Sequence, residues 1–73
     1  MNWKPEVKVQ GSWERNGLVF ATQEEAALSA RTLFFNWGLC ENHRAVEVDA
    51  DENPVNYKYD EDGILKAVKK QEV

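Results

Sequence analysis

Val7-Lys8-Val9-Gln10 alternates apolar and polar residues, the two-residue period of a half-buried strand. Asn16-Gly17 follows, the favoured pair for a two-residue hairpin turn, because both residues tolerate positive φ. With that pair at the turn, Trp13 faces Phe20, and strands are predicted near 6–15 and 18–21. Val7, Val9, Trp13, Leu18 and Phe20 then share one face, and Lys8, Gln10, Ser12, Glu14 and Val19 the other. Gly11 reads as a bulge or bend in the long first strand.

The period then changes. Thr22-Gln23-Glu24-Glu25 is a capping box: the Thr22 hydroxyl can accept from the Glu25 amide, and the Glu25 side chain can reach back. Two acids in the first turn also suit the helix dipole. The helix is predicted to run to about Trp37, with Gly38 as its stop. Ala26, Ala30, Leu33, Phe34 and Trp37 form its core stripe, the two alanines allowing close approach to a sheet.

Residues 39–44 read as a loop. Ala45-Val46-Glu47-Val48-Asp49 alternates as a strand with Val46 and Val48 inward, and Pro54 enforces a turn over 51–54. Val55, Tyr57 and Tyr59 share one side of a further strand. Asp60-Glu61-Asp62-Gly63 is a turn with a left-handed glycine, and residues 64–68 return as a fifth strand. Ile64, Leu65 and Val68 also fit helical spacing, so a short helix stays open there. The expected fold is α+β, a two-layer sandwich. One antiparallel sheet of four or five strands carries one helix on one face, in the order β-β-α-β-β with a fifth strand after it. Residues 1–73 form a single domain, with 1–5 and 69–73 frayed.

Composition narrows the class. Of 73 residues, 42% are hydrophobic and 30% charged, which excludes a disordered or collagen-like chain. No apolar run is long enough to span a membrane, and Met1–Pro5 lacks the apolar core of a signal peptide. The lone Cys40 cannot form an internal disulfide, which suits a reducing, cytoplasmic compartment. Charge is uneven: residues 41–62 hold eight acidic against two basic residues, and residues 63–73 three lysines against one glutamate.

Candidate chemistry is sparse. Leu28 and Phe35 lie seven residues apart on the helix flank opposite the core stripe, a candidate contact surface that Thr32 and Leu39 extend. Partial cover by a terminus would account for the pair equally well. Trp3 either packs over the core edge or serves as a third apolar anchor. Glu47, Asp49, Asp51, Glu52, Asp60, Glu61 and Asp62 could add acidic complementarity to a partner, or simply solvate turns. Base stacking by Tyr57 and Tyr59 needs them on an open, basic face. Their parity with Val55 favours the helix-covered side, and the expected open face carries Glu14, Glu47, Asp49 and Asp60 against Lys8 and Lys58. That composition opposes nucleic-acid binding. Cys40 and His43 are too few for a structural zinc site and lack the third group of a nucleophilic triad. The scattered glycines form no phosphate loop. Neither an enzyme nor a cofactor is expected.

The run Asn16-Gly17-Leu18-Val19-Phe20-Ala21-Thr22-Gln23-Glu24-Glu25-Ala26, then Ala30, Leu33 and Trp37, with Arg44-Ala45-Val46-Glu47 leading to Asn53-Pro54-Val55-Asn56-Tyr57, resembles small uncharacterised proteins encoded by tailed bacteriophages. The likeness spans roughly residues 10–65 and departs at Phe35, where a more polar residue is expected. It implies context and not activity: a phage accessory protein in a bacterial cytoplasm. Together these features lead to a non-enzymatic module that binds and modulates a host or phage protein, as a host-takeover or anti-defence inhibitor. The carboxylates could also mimic nucleic-acid phosphates. The Leu28/Phe35 face could instead pair two copies of the chain. Two alternatives stand beside this reading: a nucleic-acid-binding accessory using Tyr57, Tyr59 and the tail lysines Lys66, Lys69 and Lys70, and a self-assembling virion component.

Overall fold

The chain first reverses at Gln10-Gly11, ahead of Asn16-Gly17. Both residues have positive φ, 50° and 79°, the backbone of a two-residue hairpin turn whose twist matches its strands. Residues 1–68 are described by the structure, a computed structural model. The hairpin joins β1 (Asn2–Val9) to β2 (Ser12–Arg15), with Val9 opposite Ser12 and Lys8 opposite Trp13. A two-residue turn pairs positions of opposite parity. Trp13 therefore lands on the face of Lys8, away from Val7 and Val9. The single strand expected over 6–15 is two strands, and Gly11 is the turn itself.

Asn16-Gly17 instead carries the chain off the sheet. The Asn16 side-chain oxygen accepts from the Leu18 N–H at 3.0 Å, a side-chain turn. The chain rejoins β1 at Phe20, which exchanges two 2.8 Å backbone bonds with Trp3. The strand expected at 18–21 is thus a single bridge.

β1 is the centre of a three-stranded antiparallel sheet, between β2 and β3 (Cys40–Val48). Asn2–Pro5, expected to fray, belong to this central strand. Pro5 is tolerated there for a geometric reason. Trp3 turns its N–H and C=O toward Phe20, and alternation turns the Pro5 nitrogen the same way. That nitrogen meets the gap between the Phe20 bridge and the Arg15 end of β2, where no donor is required. β3 also begins earlier than expected, and most of the anticipated 39–44 loop is strand. Long β1 offers it a partner at every rung from Asn2 to Val9, with one irregularity between Lys8 and Val9.

α1 (Gln23–Asn36) starts where the capping box places it. Thr22 accepts the Glu25 N–H at 3.2 Å, and its hydroxyl donates to Glu25 Oε1 at 2.9 Å. Glu25 Oε2 accepts from the Tyr59 N–H at 3.0 Å, tying the helix start to a distant strand. Ala26 and Ala30 are fully buried and Ser29 nearly so, and these small side chains bring α1 close to β1 and β3. Trp37 departs from the expected stripe. It is the C-cap, with extended φ −103° and ψ 104°, so it leaves the helical spiral and is 52% exposed.

On β3, Val46 and Val48 pair with Lys4 and Asn2, so they occupy the sheet face away from α1. His43 and Ala45, opposite Val7 and Pro5, face the helix, and the His43 ring packs on Phe34 at 5.0 Å. β4 (Tyr57–Tyr59) and β5 (Leu65–Ala67) form a separate antiparallel pair, so residues 64–68 contribute a strand and no helix. The Asp60–Gly63 turn joins them: Asp60 Oδ1 accepts from the Asp62 and Ile64 N–H groups at 2.9 Å, and Gly63 has φ 77°. This pair docks on residue 19, whose carbonyl accepts from the Asn56 and Tyr57 N–H groups and whose N–H donates to Asn56 Oδ1. Tyr59 stacks on the fully buried Phe20, ring centroids 5.6 Å apart. The fold is α+β, with one helix and antiparallel sheets of three and two strands among the described residues, where one sheet of four or five is expected. The tail expected to fray, 69–73, lies outside the described residues.

The placement of the first turn has a stability signature. Gly11→Ala puts a Cβ on a left-handed residue and is expected to cost about 1–2 kcal/mol. Gly17 shows no left-handed φ and has open space around it, so Gly17→Ala is expected to be neutral or stabilising by about 0.5 kcal/mol. Urea unfolding of both variants measures the difference.

Candidate functional site

Two surfaces carry chemistry, and they lie on opposite sides of the molecule. The first is the face of the three-stranded sheet turned away from α1. Glu6, at the middle of β1, stands directly between Arg15 on β2 and Arg44 on β3. Its side chain is only 3% exposed, and both guanidinium groups converge on its carboxylate. Arg15 Nε donates to Oε2, and Arg44 donates to Oε1 from Nε and Nη2, each at 2.7 Å. Arg44 also lies over the Trp13 ring, 3.9 Å from its centroid. Burial alone raises the pKa of the Glu6 carboxyl. The hydrogen bonds and charges of Arg15 and Arg44 outweigh it and hold the carboxyl below the usual carboxylate range.

The alternation pattern points to no such cluster and places Trp13 in the core. Its position follows from the turn at Gln10-Gly11. The signal in the sequence is the spacing of Glu6 and Arg15 about a two-residue turn, legible only once that turn is preferred to Asn16-Gly17. Lys4 and Lys8 lie on the same face. Glu14 and Glu47, expected there, pair with Val7 and Trp3 and belong to the other face. Asp49 and Asp60 sit in turns.

The second surface is the outer side of α1 and the segment after it. Leu28 is 44% and Phe35 68% exposed, with the Arg31 guanidinium 5.5 Å from the Phe35 ring centroid. Trp37 and Leu39, the latter 76% exposed, lie beyond the helix end. Among the described residues, four of the seven exposed large hydrophobic side chains therefore fall between positions 28 and 39. Trp3 is not among them: it is half-buried in β1 and bridged to Phe20.

The acidic candidates divide by role. Asp49 accepts from the Glu52 and Asn53 N–H groups and shapes its turn. Asp60 shapes the next turn. The Ile64 N–H and then the Lys66 ammonium, 3.1 Å away, hold its carboxyl below the usual range. Glu47, Asp51, Glu52, Glu61 and Asp62 are exposed, on β3 and on two separate turns.

A shallow groove runs beside β1, lined by Lys4, Val19, Glu52, Pro54, Val55 and neighbouring backbone. Among the described residues no three His, Cys, Asp or Glu side chains converge to hold a metal ion. Tyr59 spends a ring face on Phe20 and Lys66 pairs with Asp60, while Lys69 and Lys70 lie outside the described residues. No helix among the described residues is long and apolar enough to cross a membrane. Compared with protein-family models, curated proteins and solved structures, the chain matches none.

The Glu6 cluster predicts a pH signature. A depressed folded-state pKa gives stability that is present above the unfolded value, about 4.3 for Glu, and is lost as pH falls through the folded value. Denaturant unfolding of the wild type is expected to lose stability below about pH 4.5. Glu6→Gln is expected to be about 1–3 kcal/mol less stable at pH 7, with a flatter acid limb.

Proposed function

We propose that this chain is a non-enzymatic protein-interaction module of bacteriophage type, which binds a host or phage protein and modulates it. The observation that carries this reading is the exposure of Leu28 and Phe35, seven residues apart on α1, with exposed Trp37 and Leu39 following in the chain. Large apolar side chains gathered on one surface mark contact sites more often than scattered ones do. In this reading α1 forms one layer over the three-stranded sheet, and its outer side is the presented surface.

The chemistry of the partner follows from charge. The helix C-terminus carries the negative end of the dipole, and its last turn has no basic residue. Glu41, two residues after Leu39, is exposed near this helix end, and Arg31 beside Phe35 is the cation there. A partner with an apolar groove rimmed by lysines and arginines is complementary to this surface. The mode is stoichiometric occlusion, as for a host-takeover or anti-defence inhibitor, and the lone Cys40 suits a reducing bacterial cytoplasm. A homodimer through Leu28 and Phe35 is the competing use of the same surface.

Affinity capture from infected cells identifies the partner, and titration calorimetry with the purified partner measures the contact. Phe35→Asp with Leu28→Asp is expected to weaken binding about 100-fold, or about 3 kcal/mol, with the fold intact. Unchanged affinity and unchanged oligomeric state in the double variant would sink this reading.

A further inference from the structure

We propose that the sheet face turned away from α1 binds single-stranded nucleic acid. Lys4, Lys8, Arg15 and Arg44 would contact phosphates, and the Trp13–Arg44 stack would provide a platform for a base. This surface lies opposite the helix, so the inference stands independently of the protein-docking reading.

Strand register places the charges. Lys4, Glu6 and Lys8 alternate along β1, with Arg15 and Arg44 flanking Glu6 on either side. Four cations therefore share this face with one carboxylate, and that carboxylate is already buried and paired. Glu6 orients the two guanidinium groups and offsets one of their two charges, so the four cations keep a surplus of three on this face. Arg15 meets Glu6 through its Nε–H, and its side chain is 49% exposed, so its guanidinium stays within reach of a phosphate. The Arg44 guanidinium carbon lies 3.9 Å from the Trp13 ring centroid, and its side chain is 47% exposed. A guanidinium plane fixed in this way is a surface on which unpaired bases stack.

The length of the track argues for a polymer. Lys4 and Lys8 are four residues apart on one strand, about 13 Å at the usual strand rise. A single small anion does not bridge that distance, whereas successive phosphates do. Negative groups bound the track at its ends. Glu52 shares the groove with Lys4, and Glu41 accepts the Gly11 N–H at 2.7 Å at the hairpin. The acidic excess of the chain lies mainly in turns off this face, so net charge misrepresents the local field.

The test is fluorescence anisotropy of a short labelled oligothymidylate titrated with the intact chain. Binding is expected at about 50 mM salt, with log K falling against log salt at a slope of about −2 to −3, as four phosphate contacts require. Lys4→Glu with Lys8→Glu is expected to weaken binding at least about tenfold while circular dichroism stays unchanged. Lys58→Glu makes the same kind of charge change on exposed β4 and is expected to leave affinity within about twofold. Should the double variant fail to fold, Lys8→Gln alone, expected to be about threefold weaker, decides the matter. Absence of binding at low salt overturns the proposal. So does an equal loss in Lys58→Glu, equal competition by polyglutamate at matched charge, or preference for a duplex of the same length.

Discussion

One buried carboxylate connects all three strands of the main sheet. Glu6 sits on the central strand, and its two lateral neighbours at the same rung are Arg15 and Arg44. A carboxylate this deeply covered is costly unless paired and hydrogen-bonded. The sheet is therefore committed to a register that puts a guanidinium on each side of it. A slip of either outer strand by one residue would turn its arginine to the opposite face and leave Glu6 with an unpaired oxygen. The same register sets Trp13 beneath Arg44 and leaves Pro5 its donor-free gap.

The two faces of this sheet are built by different physics. Toward α1, small side chains decide the packing: Ala26, Ser29 and Ala30 lie against Pro5, Val7, His43 and Ala45 territory, and Phe20 seals one end beneath Tyr59. Away from α1 the sheet is divided: Val48 is buried at one end with Val46 beside it, and the ion pairs of Glu6 organise the other. A domain of this size has limited core area to draw on, so this end of its second face is organised by an ion-pair cluster whose guanidinium groups stay half in water. The consequence for function is a molecule with two unlike surfaces, one apolar on the helix side and one cationic on the sheet side, separated by the thickness of the fold.

Much of this was legible in the residues. The helix, its Thr22 cap, the buried alanines, the exposed Leu28 and Phe35, the Asp60–Gly63 turn and the returning strand all rest on interactions between residues close in sequence. What misled was a choice between two local signals. Asn-Gly is the stronger hairpin pair and Gln-Gly the weaker, yet the turn forms at Gln10-Gly11. There it allows Glu6 to meet Arg15 and lets β1 run its full length beside β3. That single displacement moved Trp13 out of the core, made the N-terminus a central strand and converted an expected acidic face into a basic one. Trp37 differs for a smaller reason: the helical period ends at Asn36, and the backbone leaves the helix at Trp37 itself.

The sequence by itself determined the elements whose energetics are local. Capping bonds, helical periodicity and turn glycines act over three or four residues and need no distant partner. Tertiary structure decided everything that depends on parity across strands. Which side of the sheet a residue faces is fixed by pairing with a strand remote in the chain, as Glu6 is by Arg44 across 38 residues. A shift of one position in one turn inverts every assignment downstream. The acidic composition of residues 41–62 is real, but only the fold shows that Glu47 lies on the other face and Asp49 and Asp60 in turns, while Lys4, Lys8, Arg15 and Arg44 share the face away from α1.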